Sequence, residues 1–175
     1  MRFGWARTAV LSLALLAAAC GRDAAPTADL EESARAAEFF MSSNARAEGV
    51  QTLPSGLQYK VVQSGPPGSP VPDSNDLVRV DYEGALTDGT VFDSSFARGQ
   101  PYVTTPEQVV PGWTEALQRM KVGDEWVLYV PPALGYGEAG GGAEIPPNSV
   151  LVFRIKLLDI APTPGGGRGV GLAMG

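Results

Sequence analysis

Histidine is absent from all 175 residues, and cysteine occurs once, at Cys20. The first absence excludes a His-dependent catalytic triad, imidazole acid–base catalysis and a histidine metal ligand. The second excludes an internal disulfide. Positive charge is scarce: 13 Lys and Arg stand against 19 Asp and Glu, a net charge of −6. Such a balance argues against nucleic acid as a partner, since phosphate contacts need clustered Lys and Arg. It argues equally against a basic patch docking on anionic lipid. No phosphate loop and no pair of carboxylates at an acid/base spacing stands out, and neither a cofactor nor a metal is implied. Glycine (22) and proline (15) are abundant, which predicts many turns and little long helix. Hydrophobic residues make up 44%, enough for a core, and the length favours one domain with appendages.

MRFGWARTAVLSLALLAAAC reads as an export signal over 1–19. Arg2 and Arg7 form its positive end, and Ala9 to Ala19 an apolar stretch too short to cross a bilayer as a helix. Removing 1–19 takes both arginines and no acid, which deepens the net charge from −6 to −8. The small residues before Cys20 resemble the lipobox of bacterial lipoproteins, although Ala17 stands where leucine is commoner. That resemblance implies a lipid on Cys20, anchoring the chain at a membrane of the bacterial envelope and facing the periplasm. Acyl chains supply about 0.8 kcal/mol per buried CH₂. The same resemblance implies the outer membrane, since glycine rather than aspartate stands at position 21. The alternative is an ordinary A-x-A signal, cut at about the same place and leaving a free thiol.

Residues 20–28 read as a short polar tether. In ADLEESARAAEFFMSSNARAEG, Leu30, Ala34, Ala37, Phe40 and Met41 recur at steps of three and four, predicting a helical segment within 29–52. Asp29 is its expected cap, with Glu32 three places on, and Gly49 its expected end. A single helix of this length must dock on something. Its own domain is one choice; a dimer or client contact through Phe39 and Phe40 is the other.

A compact domain follows over 53–161. SGLQYKVVQSG alternates, with Leu57, Tyr59 and Val61 on one face. LVRVDYEGAL places Val78, Val80 and Tyr82 opposite Arg79, Asp81 and Glu83, and Thr87-Asp88-Gly89-Thr90 is a hairpin signal. PGWTEALQRM holds a short helix with Trp113, Leu117 and Met120 on one face. GDEWVLYVP and VLVFRIKLLDI complete the strands, the latter alternating Leu151, Phe153, Ile155 and Leu157 with charged residues. Strands that alternate apolar with charged residues predict an antiparallel sheet, wet on one side. The expected fold is α+β: a curved antiparallel sheet wrapped around one short helix, with the N-terminal helix ahead of it. The Gly-rich stretch 162–175 is expected to be a disordered tail.

VRVDYEGALTDGTVFDSSFARGQPY, VVPGWTEALQRMKVGDEWVLYVPPALGYGE and IPPNSVLVFRIKLLDI together resemble an FKBP-type peptidyl-prolyl cis–trans isomerase. With the helix and export signal, the chain is most similar to the lipoprotein and periplasmic branch that includes the macrophage infectivity potentiator proteins. The resemblance implies a shallow apolar cup that takes X-Pro segments of unfolded or exported proteins, and macrolides as inhibitors. Matched residue by residue, the cup wall is Tyr82, Phe92, Tyr102, Val109, Val110, Ile145 and Phe153, and Trp113 is the floor. Asp93 and Tyr136 supply polar groups at the rim, and Arg98 matches the family arginine near that aspartate. Tyr82, Asp93 and Tyr136 are the implied catalytic residues. The branch often carries a longer helical dimerisation region, and here only some twenty residues occupy its place, so monomer and dimer both stay open. A chaperone or proline-motif binding module with little turnover is the alternative function.

No nucleophile is needed for such chemistry. Rotation about an X–Pro amide faces a barrier of about 18–20 kcal/mol, and twisting reduces the charge separation of the planar amide. An apolar cup therefore suits the twisted form better than water does. Asp93, at the end of an apolar run, has two readings. Local physics makes it a cap for the Ser94-Ser95 turn. The resemblance makes it an ionised rim carboxylate paired with Tyr82 and Arg98, with no general-base role.

Overall fold

A computed structural model describes residues 26–165. The leader 1–19, Cys20, most of the tether and residues 166–175 of the tail lie outside the described residues. Seven antiparallel strands form one sheet: β1 (Val50–Thr52), β2 (Gln58–Gln63), β3 (Leu77–Leu86), β4 (Val91–Ser94), β5 (Tyr102–Thr104), β6 (Glu125–Val130) and β7 (Leu151–Ala161). Their order is β1-β2-β6-β7-β3-β4, and β5 pairs with β3 beside β4. Among the described residues, three α-helices accompany them: α1 (Pro26–Asn44), α2 (Ser95–Arg98) and α3 (Pro111–Leu117).

The two-residue alternation seen in the sequence sets the inner face. Val78, Val80 and Tyr82 of β3 are buried, as are Leu151, Phe153, Ile155 and Leu157 of β7 and Trp126, Leu128 and Val130 of β6. Against them lies α3, with Trp113, Ala116 and Leu117 buried and Met120 just beyond its end. Pro111 opens α3 at its first position, where a missing N–H costs nothing. Each fully buried leucine contributes about 1.5–3 kcal/mol. The sheet curving around a single short core helix matches the expected architecture.

Three local expectations are corrected, and two short elements are added. Helix α1 begins at Pro26, so Asp29 lies inside the first turn and does not cap it. It ends at Asn44, and Gly49 (φ 78°) shapes the later turn into β1, a strand with too little periodicity in three residues to read from sequence. Val61 does not share the burial of Leu57: it is 37% exposed, beside a β-bulge between Val61 and Gln63. Helix α2 and strand β5 were likewise invisible to a periodicity argument, being four and three residues long.

The outer face of the sheet is also less wet than its alternation suggests, because α1 covers part of it. Ala37 is buried, and Phe40 meets Tyr129 of β6 with ring centroids 6.2 Å apart. Gln58, on the outer face of β2, is 3% exposed. Its amide donates to the Met41 carbonyl (2.8 Å) and accepts from Asn44 Nδ2 (2.8 Å), so the last turn of α1 is tied to the sheet. Of the two docking choices left open by the sequence, α1 uses its own domain. Phe39 points away and is 74% exposed.

Candidate active site

At one end of the concave face, α3 and the strand ends leave a cup of about 650 Å³. Trp113 is its floor, held by burial at the start of α3. Tyr82 and Phe153 stand edge-on to the indole, with centroids 5.0 and 5.1 Å away and both interplanar angles at 85°. Phe92 of β4 stands edge-on to Phe153 (5.7 Å, 89°), and Tyr102 meets Tyr82 at 5.8 Å. Such edge-to-face pairs add about 0.5–1.5 kcal/mol each beyond area burial, so the rings fix one another's orientation. Val109 and Val110 complete the apolar lining.

Close approach of two of these rings needs a residue without a side chain. A Cβ at Gly84 on β3 would sit 2.7 Å from Phe153 Cε1 and 2.7 Å from Phe92 Cε2. Gly84 pairs with Asp93 across β3 and β4 and with Phe153 across β3 and β7. The wall therefore leans over a glycine.

Polar groups gather at the rim. The Tyr82 hydroxyl donates to one carboxylate oxygen of Asp93, and Arg98 Nη1 donates to the other. Arg98 Nη2 donates to the Tyr82 oxygen (2.9 Å), closing a three-residue ring of hydrogen bonds. The guanidinium carbon also lies 5.4 Å from the Tyr82 ring centroid. The turn after Asp93 is capped by Ser94, whose hydroxyl accepts from Ala97 N (3.3 Å). Asp93 is thus the paired rim carboxylate. Burial alone would raise its pKa, but the Tyr82 hydroxyl and Arg98 outweigh burial and hold it below the usual carboxylate value. Burial, reinforced by Asp93, pushes the Tyr82 phenol from 10.0 up to about 12.

The signs of these shifts give a pH prediction. A depressed carboxylate contributes stability that is present above its ordinary value of 3.8 and is lost as pH falls through the lower, folded value. A raised phenol contributes stability that is present below pH 10.0 and is lost as pH rises toward about 12. Both groups hold one protonation state across neutral pH. The Tm difference between wild type and Asp93→Asn is expected to be level near neutrality and to shrink below pH 3.8. Phenolate absorbance should show a component near pH 12 that Tyr82→Phe removes. A component near pH 12 that persists in Tyr82→Phe would contradict the closed ring.

Nearly all the expected site residues come together. Tyr82, Phe92, Asp93, Tyr102, Val109, Val110, Trp113, Tyr136 and Phe153 line the cup. Two do not. Arg98 stands outside the lining and reaches the site through Asp93 and Tyr82, because its guanidinium is drawn to the carboxylate. The Ile145 side chain is 6% exposed and joins the core instead of the wall. It sits at the closing end of a flap, residues 137–147, where Gly141 N donates to the Ile145 carbonyl (2.9 Å). Gly140 (φ 67°) makes that closure possible, since a Cβ there would lie 2.4 Å from the same carbonyl. Gln108 and Glu144 also line the cup and were not anticipated. Neither lies in an alternating strand, so no periodic signal marks them. Among the described residues, no group of three or more His, Cys, Asp or Glu is placed to hold a metal, and no helix is long and apolar enough to cross a membrane.

The site is thus an aromatic cup with a satisfied rim carboxylate, on a sheet wrapped around one helix. Comparison with known proteins agrees. The family model described as FKBP-type peptidyl-prolyl cis-trans isomerase matches residues 68–158, and the model for the domain amino-terminal to that isomerase matches 14–61. The chain belongs to the FKBP-type peptidyl-prolyl cis–trans isomerase family. It is 48% identical over 128 residues to the peptidyl-prolyl cis-trans isomerase Mip of Coxiella burnetii, covering 73% of this chain and 55% of the relative. It is 44% identical over 130 residues to the outer membrane protein MIP of Legionella longbeachae, covering 74% and 55%. The crystal structure of FkpA from Escherichia coli superposes with a TM-score of 0.71 at 41% identity, covering 79% of this chain and 65% of that one. The chain thus spans a little over half the length of the relatives it matches.

Proposed function

We propose that this chain is a peptidyl-prolyl cis–trans isomerase that accelerates folding of exported proteins in the bacterial envelope. The observation that carries the reading is the Trp113 floor, fixed edge-on by Tyr82 and Phe153 beneath a carboxylate whose oxygens are already bonded. The proline ring enters the cup, and its amide twists away from water. Loss of amide resonance reduces charge separation, so the apolar lining favours the twisted state. Asp93 remains ionised and holds Tyr82 and Arg98 in place; it removes no proton. Tyr136, 44% exposed at the rim, and the Ile145 backbone N–H are the groups that meet substrate carbonyls as they rotate. The name of one relative, an outer membrane protein, and the lipobox-like stretch before Cys20 support an envelope address, with a lipid on Cys20 as the anchor.

Exchange of a short X-Pro peptide measured by NMR tests the reading. Accelerated exchange in wild type, falling in Tyr136→Phe with the fold intact, supports it. A well-folded wild type without acceleration moves the weight to the binding module. That second reading has one observation of its own, the exposed Phe39 on α1, and predicts that Phe39→Ser weakens suppression of client aggregation.

Rim charge adds a preference. Arg98 is paired with Asp93, whereas Glu144 lines the cup with no ion-pair partner among the described residues. Peptides with lysine next to proline are expected to bind about two- to fivefold more tightly than those with glutamate, the range of an exposed ion pair. The difference should fade in molar salt. Equal affinities at low salt would remove Glu144 from the recognition surface.

A further inference from the structure

We propose that α1 braces the flap over the cup, with Asn148 as the positioning residue that joins them. Asn148 is the one described non-glycine residue with positive φ (56°), and it is 8% exposed. Its backbone N–H donates to the Gly137 carbonyl (2.9 Å), closing the base of the flap that carries Ile145. Its side-chain amide reaches across to α1 and donates both to the Leu30 carbonyl (3.0 Å) and to Ser33 Oγ (3.1 Å). Ser33 in turn donates to the Leu30 carbonyl (3.0 Å), so donor and acceptors form one small closed network. Asparagine suits the place, because it tolerates the left-handed region better than other side chains and brings an amide to bond with. A residue kept in a sparsely populated conformation persists where its surroundings over-determine it. Here those surroundings are a helix 115 and 118 residues earlier in the chain and the flap itself.

The consequence is a division of labour in the cup. Trp113, Phe92 and Phe153 sit on the sheet and α3, and bind proline whatever the flap does. Tyr136 and the Ile145 N–H sit at the two ends of the flap and act on carbonyls in motion. Loosening the brace should therefore lower kcat and leave KM nearly unchanged. The segment ahead of the catalytic domain then sets turnover from outside the cup, and any load on α1 is felt at the flap. This inference rests on the isomerase reading for its kinetic readout, but not for its structural one.

The test uses the purified protein with Asn148→Gly and Ser33→Ala. Glycine accepts the positive φ without strain and deletes the amide. Ser33→Ala leaves the loop's own chain untouched and deletes an acceptor. Each variant is expected to lower kcat by about three- to tenfold, with KM within about twofold, as the loss of one or two buried hydrogen bonds expressed in turnover. The double variant should be no slower than Asn148→Gly, since both act through one contact. Amide hydrogen exchange over 137–147 should quicken in Ser33→Ala, while Tm stays close to wild type. Wild-type kcat and wild-type flap exchange in Ser33→Ala would overturn the proposal. So would a kcat loss explained by a smaller folded fraction. If wild type itself catalyses no exchange, the isomerase reading fails, and flap exchange alone decides the brace: quickened in Ser33→Ala it stands, unchanged it falls.

Discussion

Trp113→Ala is expected to reduce isomerisation by about tenfold or more and to lower folding stability by about 3–5 kcal/mol. The indole is 4% exposed and is the ring on which Tyr82 and Phe153 both stand edge-on, so its removal leaves a hole beneath the cup and frees two walls. Surrounding groups cannot collapse into the space without leaving the sheet. Trp113→Phe separates the two effects. It keeps an aromatic floor and deletes an Nε1 that has no hydrogen-bond partner among the described residues, so most stability should return. Urea denaturation and peptide exchange on the same samples check both parts. Full activity in a folded Trp113→Ala protein would show that the floor does not carry the chemistry.

Asp93→Ala is expected to reduce kcat/KM by about tenfold, the scale of one charge-assisted hydrogen bond lost from a site. The carboxylate holds the Tyr82 hydroxyl and Arg98 together; without it the phenol loses its acceptor and the guanidinium swings into water. The effect on stability should be small, because both partners of the ion pair are 41% exposed and solvent screens them. Asp93→Asn keeps the shape and removes the charge, so it reports the electrostatic share. Tyr82→Phe should be no worse in the Asp93→Ala background than alone, since both act through one hydrogen bond. Additive losses would place Tyr82 and Asp93 in separate roles, and an unchanged kcat/KM in Asp93→Ala would remove the carboxylate from the mechanism.

How much was legible follows from the kind of signal each residue carries. Tyr82 could be placed on the inner face because Val78 and Val80 precede it at steps of two, and Phe153 because β7 alternates over eleven residues. The cup as a whole came from the resemblance, since periodicity marks Val109 and Phe153 only as core. The Asp93 pairing shows the same limit: its acceptor oxygens are filled by residues 11 and 5 positions away, on another strand and at the end of a short helix. The flap's anchor on α1 was out of reach for a stronger reason. A polar contact between Asn148 and Leu30 leaves no repeat in either segment. Gln108 and Glu144 escaped because a three-residue 3-10 helix and a loop turn aim side chains by tertiary context alone.

The lengths of the outermost strands have a consequence for the company this protein keeps. On the isomerase reading the chain handles extended, proline-bearing polypeptides, and it is at risk of pairing with them along its own sheet margins, which present unsatisfied N–H and C=O groups. Here β1 at one margin and β5 at the other are three residues each, and β4 is four. On β2, the run Val61 to Gln63 beyond the reach of β1 exposes Val61 and Val62, and it is there that the bulge breaks the register. A bulge twists a margin away from any incoming strand. On the isomerase reading, the protein holds a client by one ring in its cup while its sheet margins, among the described residues, offer that client little template for aggregation.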